Sequence, residues 1–335
     1  MKRKSKKILS TIAIFLCILV VVPVIIVNIT PNFTALIVRK MFETPIATKP
    51  ANYEEYKGKV STVKDLTYES EYNLNKYDIY IPNDGKKDKY PTIIWVHGGA
   101  FVGGDKDQIE IYSTTLASKG YLVLSINYGL APEAKYPVPL TQLGEFCKHL
   151  STIKDKYPID ETQLFFAGDS AGAQIVSQFV ITQTNENFAK KMNTQQIIPK
   201  ESIKGALLYC GPYNFSEENL SIISFPMRFI LSQVAWSYMG SRDFKNNEAL
   251  TDMTIINNLT KDFPPCFITD GNTGSFESHG RELSEKLNEK NVKNTTLFFS
   301  KEDFITEHEY QFKMDTEPGR QAWNETIKFL SEHTD

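Results

Sequence analysis

A chain of 335 residues, 41% apolar and 23% charged, has the make-up of a globular protein with one large domain or two small ones. A net charge of −3 leaves no basic footprint for nucleic acid. The four cysteines, Cys17, Cys147, Cys210 and Cys266, are scattered, which excludes a disulfide framework and any CxxC metal spacing.

The chain opens on a basic head, Lys2, Arg3, Lys4, Lys6 and Lys7, followed by residues 8–27 without a charge and with only Ser10, Thr11 and Pro23 as interruptions. At about 1.5 Å per residue a helix of that length crosses the hydrocarbon core of a bilayer. Residues 1–28 are therefore expected to be a single-pass transmembrane signal-anchor, its basic end cytoplasmic and the rest of the chain extracytoplasmic. The rival is a signal peptide that is cleaved to release a secreted protein. Ile14-Phe15-Leu16 ahead of Cys17 lacks the small residues of a lipoprotein signal. Residues 29–59 form a juxtamembrane or cap segment. Phe33, Leu36, Ile37, Met41 and Phe42 recur there at near-helical spacing, which predicts an amphipathic helix. Such a helix lies on the membrane, covers the site of the domain that follows, or simply packs.

The period changes at residue 60, and residues 60–333 read as one catalytic domain. Tyr77, Ile79 and Ile81 alternate with Asp78 and Tyr80 as in a strand, and Asn83-Asp84-Gly85 is a turn. Residues 92–96 are a short continuous apolar run, the mark of a strand buried on both faces. It ends in His97-Gly98-Gly99-Ala100-Phe101. A glycine pair after a central strand lets backbone N–H groups point into a cavity as part of an oxyanion hole, with His97 orienting the loop. Residues 108–119 and 140–154 are predicted helices. Residues 121–126, 164–167, 203–209, 266–269 and 295–299 are predicted strands. Strands alternating with helices imply a mostly parallel sheet with helices on both faces.

Residues 165–174, Phe-Phe-Ala-Gly-Asp-Ser-Ala-Gly-Ala-Gln, carry Gly-x-Ser-x-Gly between a strand and a helix. Gly168 and Gly172 give room for a tight turn that lifts the Ser170 hydroxyl above the sheet, beside the free N–H groups of a helix N-terminus. About residues 212–262 the pattern turns irregular and strongly apolar, which predicts a lid insertion.

With these three pieces in order, His97-Gly98-Gly99-Ala100-Phe101, then residues 127–133, Asn-Tyr-Gly-Leu-Ala-Pro-Glu, then Gly168-Asp169-Ser170-Ala171-Gly172, the chain resembles the α/β-hydrolases, and within them the hormone-sensitive-lipase-like esterases. The resemblance covers roughly residues 60–330. It implies an α/β-hydrolase fold with an eight-stranded, mostly parallel sheet and a serine esterase needing no metal or organic cofactor. It makes Ser170 the nucleophile and the N–H groups of Gly98, Gly99 and Ala171 the oxyanion hole. His308, which follows the last predicted strand, is the base among five histidines. The acid is the departure. The family's position for it falls on Gly274, flanked by Asp270 and Glu277. The longer Glu277 is favoured for reaching the imidazole, with Asp270 bonding the Gly271 turn instead. Gly129, Ala173 and Gln174 stand where the family has arginine, glycine and asparagine. The implied substrate is a carboxylic ester, short- to medium-chain acyl or acetyl, free or carried on a glycan. Amide hydrolysis on the same triad, or an inactive binding protein on the same fold, are the other readings; the sequence is silent on oligomeric state.

Overall fold

The computed structural model describes residues 21–215 and 225–335, with Phe15 and Leu19 ahead of them. One sheet of eight strands organises the chain in the order β1-β2-β4-β3-β5-β6-β7-β8. The strands are β1 Val60–Thr67, β2 Lys76–Pro82, β3 Tyr90–Val96, β4 Leu122–Ile126, β5 Ile159–Asp169, β6 Ile203–Tyr209, β7 Cys266–Thr269 and β8 Asn294–Leu297. Pairings β1–β2 and β2–β4 are antiparallel, and every pairing from β4 through β3 to β8 is parallel.

The apolar runs form strands because both sheet faces are covered. Ile94, Phe166 and Leu208 point into one core with the helices Val138–Ile153 and Ala171–Thr184. Their neighbours Ile93, Trp95, Phe165 and Leu207 point into the other, with Glu110–Ala117 and Glu317–Glu332. Edge strand β1 carried no clear alternation in sequence. Its half-buried residues, Val60, Val63 and Leu66, fall every third position. A register shift between Val63 and Leu66, with Asp65 at φ 56°, breaks the period of two.

At the N-terminus, Val21–Ile29 and Asn32–Met41 are helices set at 97° to one another. Among the described residues no single helix is long and apolar enough to cross a membrane; only taken together does this bent pair reach that length and composition. Most of the expected anchor, with Cys17, lies outside the described residues. The predicted amphipathic helix is Asn32–Met41, but rolled over. Thr34, Ala35 and Val38 face the domain, whereas Phe33, Leu36, Ile37 and Met41 face outward. Ala35, Val38 and Ala47 are buried in the two cores, and Thr48 N–H donates to the Phe312 carbonyl at 2.9 Å. Residues 32–48 thus pack against the domain that begins at residue 60. Within the described part of residues 212–262, where a lid is expected, the longest element is the helix Phe225–Met239.

Candidate active site

Strand β5 delivers Ser170 at the sheet's C-terminal edge with φ 50° and ψ −119°. That strained turn is held by the Ser170 N–H, which donates to the Tyr209 carbonyl at 2.8 Å. It also requires both flanking glycines: a Cβ on Gly168 would meet the Gly172 backbone at 2.5 Å, and one on Gly172 would strike the Val96 carbonyl.

His308 Nε2 lies 3.0 Å from Ser170 Oγ. The other imidazole nitrogen, Nδ1, lies 2.6 Å from Ser275 Oγ, and the Ser275 hydroxyl donates to Asp270 Oδ1. Asp270 also accepts the Gly271 N–H at 2.7 Å. Two loops meet to make this chain. Thr273 N–H donates to the Thr306 carbonyl at 2.9 Å, and the Asn272 amide bonds the Phe299 and Phe304 carbonyls and receives the Thr306 N–H. The loop after β7 is thereby stapled to the loop after β8, and Ser275 comes to rest under His308.

Glu277, favoured as the acid from the sequence, is elsewhere. It heads the helix Glu277–Glu289 and pairs with Arg281 at 2.6 Å, one helical turn on. The side chain at the imidazole is Ser275, and the carboxylate behind it is Asp270. A serine gave no signal in sequence, because its part depends on a carboxylate five residues earlier turning back to it.

An ionised carboxylate only accepts hydrogen bonds, so Asp270 takes the single Ser275 proton. Ser275 then accepts from Nδ1–H, and Nε2 is left bare to accept from Ser170. Burial pushes the His308 imidazole down to about 4 and the Asp270 carboxyl up to about 8. A neutral Asp270 reverses the relay: its O–H donates to Ser275, Ser275 donates to Nδ1, and the proton moves to Nε2, where it blocks Ser170. Activity is therefore expected to rise with pH through about 8. Cutting the relay with Ser275→Ala should lower the plateau by roughly 10- to 100-fold, the worth of a hydrogen bond to a charged group, and flatten that rise. A kcat/KM profile that rises only near pH 4 and is flat above would contradict this assignment.

The oxyanion side also differs from expectation. Gly98 N–H is not free, since it donates to Asp169 Oδ2 at 2.8 Å, while Asp169 Oδ1 accepts from Trp95 Nε1 at 2.8 Å. Among the described residues no acceptor takes the N–H groups of Gly99, Ala100 or Ala171. Ala171 opens the Ala171–Thr184 helix, and a Cβ on Gly98 would lie 3.1 Å from Ser170 Cβ, so this loop runs beside the nucleophile. Gly99, Ala100 and Ala171 form the available donor set; Ala100 was not foreseen, because only the fold shows Asp169 taking Gly98. Glu309 is a second unforeseen group. Burial and the Asp169 charge push its carboxyl up to about 8, and its Oε1 lies 4.0 Å from His308 Nε2.

His97 is buried within the oxyanion loop, its Nδ1 2.7 Å from the Gly98 carbonyl and its ring stacked on Tyr128. Burial holds it below the usual histidine range. His149, His279 and His333 pair with Tyr77, the Asn214 backbone and the Phe329 carbonyl, away from Ser170. Donor atoms of Cys210, Asp270 and His308 lie within 4.8 Å of one another, yet a metal there would displace the Ser275 and Ser170 contacts.

Gly129 has no room for an arginine side chain, because its Cβ would meet Ala134 Cβ at 2.6 Å. The cation comes instead from the N-terminal helix. Arg39 donates to the Val102 carbonyl at 2.6 Å and the Ala131 carbonyl at 2.8 Å, and pairs with Glu133 at 2.6 Å. Ala131 N–H in turn donates to the Phe101 carbonyl. Arg39 thus ties the loop of residues 98–104 to the loop of residues 127–133. Arg39→Ala is expected to lower kcat about tenfold, near 1.4 kcal/mol of barrier, with KM for a small ester little changed. Steady-state kinetics on an acetyl ester checks this; a KM effect alone would place Arg39 outside the oxyanion geometry.

A family model described as BD-FAE matches residues 77–290. Acetyl esterases of Salmonella paratyphi B and Salmonella typhi are 27% identical over 203 residues, which span 58% of this chain and 59% of theirs. The match thus covers less than two thirds of these curated relatives. Among solved structures, esterase B from Lactobacillus rhamnosis superposes with a TM-score of 0.71 at 18% identity, over 84% of this chain and 90% of that one. The Pyrobaculum calidifontis esterase does so at 0.64 and 19%, over 91% and 92%. At those identities the likeness is one of fold.

Proposed function

Because the chain belongs to the BD-FAE family, we propose that it is a serine carboxylesterase acting on short- to medium-chain acyl or acetyl esters. The observation that carries this is the 3.0 Å contact between Ser170 Oγ and His308 Nε2, with Ser275 and Asp270 behind the imidazole. The acetyl esterases among its relatives favour a small acyl group.

Ser170 attacks the ester carbonyl as His308 Nε2 takes its proton. Negative charge develops on the carbonyl oxygen against the N–H groups of Gly99, Ala100 and Ala171, each such donor being worth on the order of 3 kcal/mol of barrier. Imidazolium is steadied through Ser275 by Asp270. His308 then protonates the leaving alcohol, an acyl-Ser170 remains, and water repeats the sequence to release the acid. The His308 side chain is 28% exposed, which leaves its edge open to the leaving group and to that water.

The basic head and the uncharged run of residues 8–27 support a single-pass anchor that holds the catalytic domain on the extracytoplasmic side, where small esters and glycan-borne acyl groups are within reach. The test of activity is hydrolysis of p-nitrophenyl esters from acetate to long chains by the full chain in detergent, beside fluorophosphonate labelling. Turnover is expected to peak at the short esters. A folded protein that neither turns over any ester nor takes the label would overturn the esterase reading.

A further inference from the structure

Amphipathic helices on a globular domain turn their apolar stripe inward. Asn32–Met41 does the reverse. Its inner face is Thr34, Ala35, Val38 and Arg39, and its outer face shows Leu36 and Ile37 half exposed and Met41 70% exposed. The Arg39 contacts fix the roll of the helix, so the apolar stripe is held outward. Beside it lies the insertion helix Phe225–Met239, which turns Val234 and Tyr238 inward and leaves Met227 and Phe229 exposed. Arg242, just past that helix, donates to Asn28 O and Oδ1, both at 3.0 Å, and joins the insertion to the chain emerging from the apolar run. Apart from Ile29, Tyr72, Leu74 and Ile305, all the exposed large hydrophobic side chains among the described residues lie on these two helices or on the apolar run itself.

We propose that Asn32–Met41 and the start of Phe225–Met239 form a platform that docks on a lipid bilayer, so the catalytic domain lies on the membrane and is not merely tethered to it. This rests on the anchor reading above. The 97° bend supplies the geometry: a helix crossing along the bilayer normal is followed, two residues later, by one lying in the membrane plane. Lipid is favoured over a second copy of the chain because the stripe is covalently continuous with the bilayer-length apolar run and has no room to leave the interface. The platform reaches the site, since Tyr238 on the insertion helix stacks on Phe101 of the oxyanion loop with ring centroids 4.2 Å apart.

The experiment uses the full chain with Cys17→Ser, whose other cysteines are buried. Single cysteines at Ile25→Cys, Leu36→Cys, Phe229→Cys and Lys328→Cys are labelled with bimane in phosphatidylcholine vesicles, with and without brominated acyl chains. The probes at 25, 36 and 229 are expected to lose most of their fluorescence to bromine, and the probe at 328 none. Quenching at 25 without quenching at 36 and 229 overturns the platform and leaves the anchor standing; shielding of the stripe by a second copy or by the chain itself gives this same result. No quenching at 25 overturns the anchor and the platform together, while ester hydrolysis by the same samples reports separately on the catalytic reading.

Discussion

Ser170→Ala is expected to lower kcat for a short acyl ester by roughly 10⁵- to 10⁶-fold, close to the loss on removing an entire triad, because the nucleophile and its base act as one unit. The residual rate should still exceed that in water, since the donors at Gly99, Ala100 and Ala171 and the binding surface remain. Binding of an unreactive ester analogue should survive, as Ser170 is 8% exposed and its loss leaves the elbow glycines and the Tyr209 contact in place. The kinetic comparison needs only the two purified chains and one chromogenic ester. Turnover by the alanine protein at the original rate would remove Ser170 from the chemistry altogether.

Asp270→Asn should cost about 10⁴-fold in kcat, the scale seen where the triad acid of another serine hydrolase was neutralised and the histidine tautomer reversed. The amide can turn its NH₂ to Ser275, which sends the Ser275 proton to His308 Nδ1 and leaves Nε2 protonated against Ser170. Glu277→Gln should cost little, because that carboxylate is engaged with Arg281. The pair of variants separates the two carboxylates: a large loss at Glu277 with full activity in Asp270→Asn would mean that the relay through Ser275 does no catalytic work. Both variants should be taken through thermal unfolding, since Asp270 is 1% exposed and its replacement disturbs the Gly271 turn as well.

The amino-acid sequence by itself determined the mostly parallel sheet and the elbow, because these are written in short-range pattern. The continuous apolar run at 92–96 and the apolar segment at 205–209 mark strands covered on both faces, and Gly168-x-Ser170-x-Gly172 marks a tight turn between strand and helix. Edge strand β1 escaped because its bulge breaks the period of two. What the tertiary structure alone decided are the partners that meet across long separations. Ser275 and Asp270 reach His308 because two loops are stapled through Asn272 and Thr306. Gly98 is withdrawn from the oxyanion donors because Asp169, 71 residues away, takes its N–H. Arg39 stands in for the cation absent at Gly129, and in doing so rolls its helix until the apolar stripe faces out. A hydrophobic period shows that a stripe exists but not which way it points. That direction is set by the polar contacts on the opposite face, which form only once the distant loops are in place.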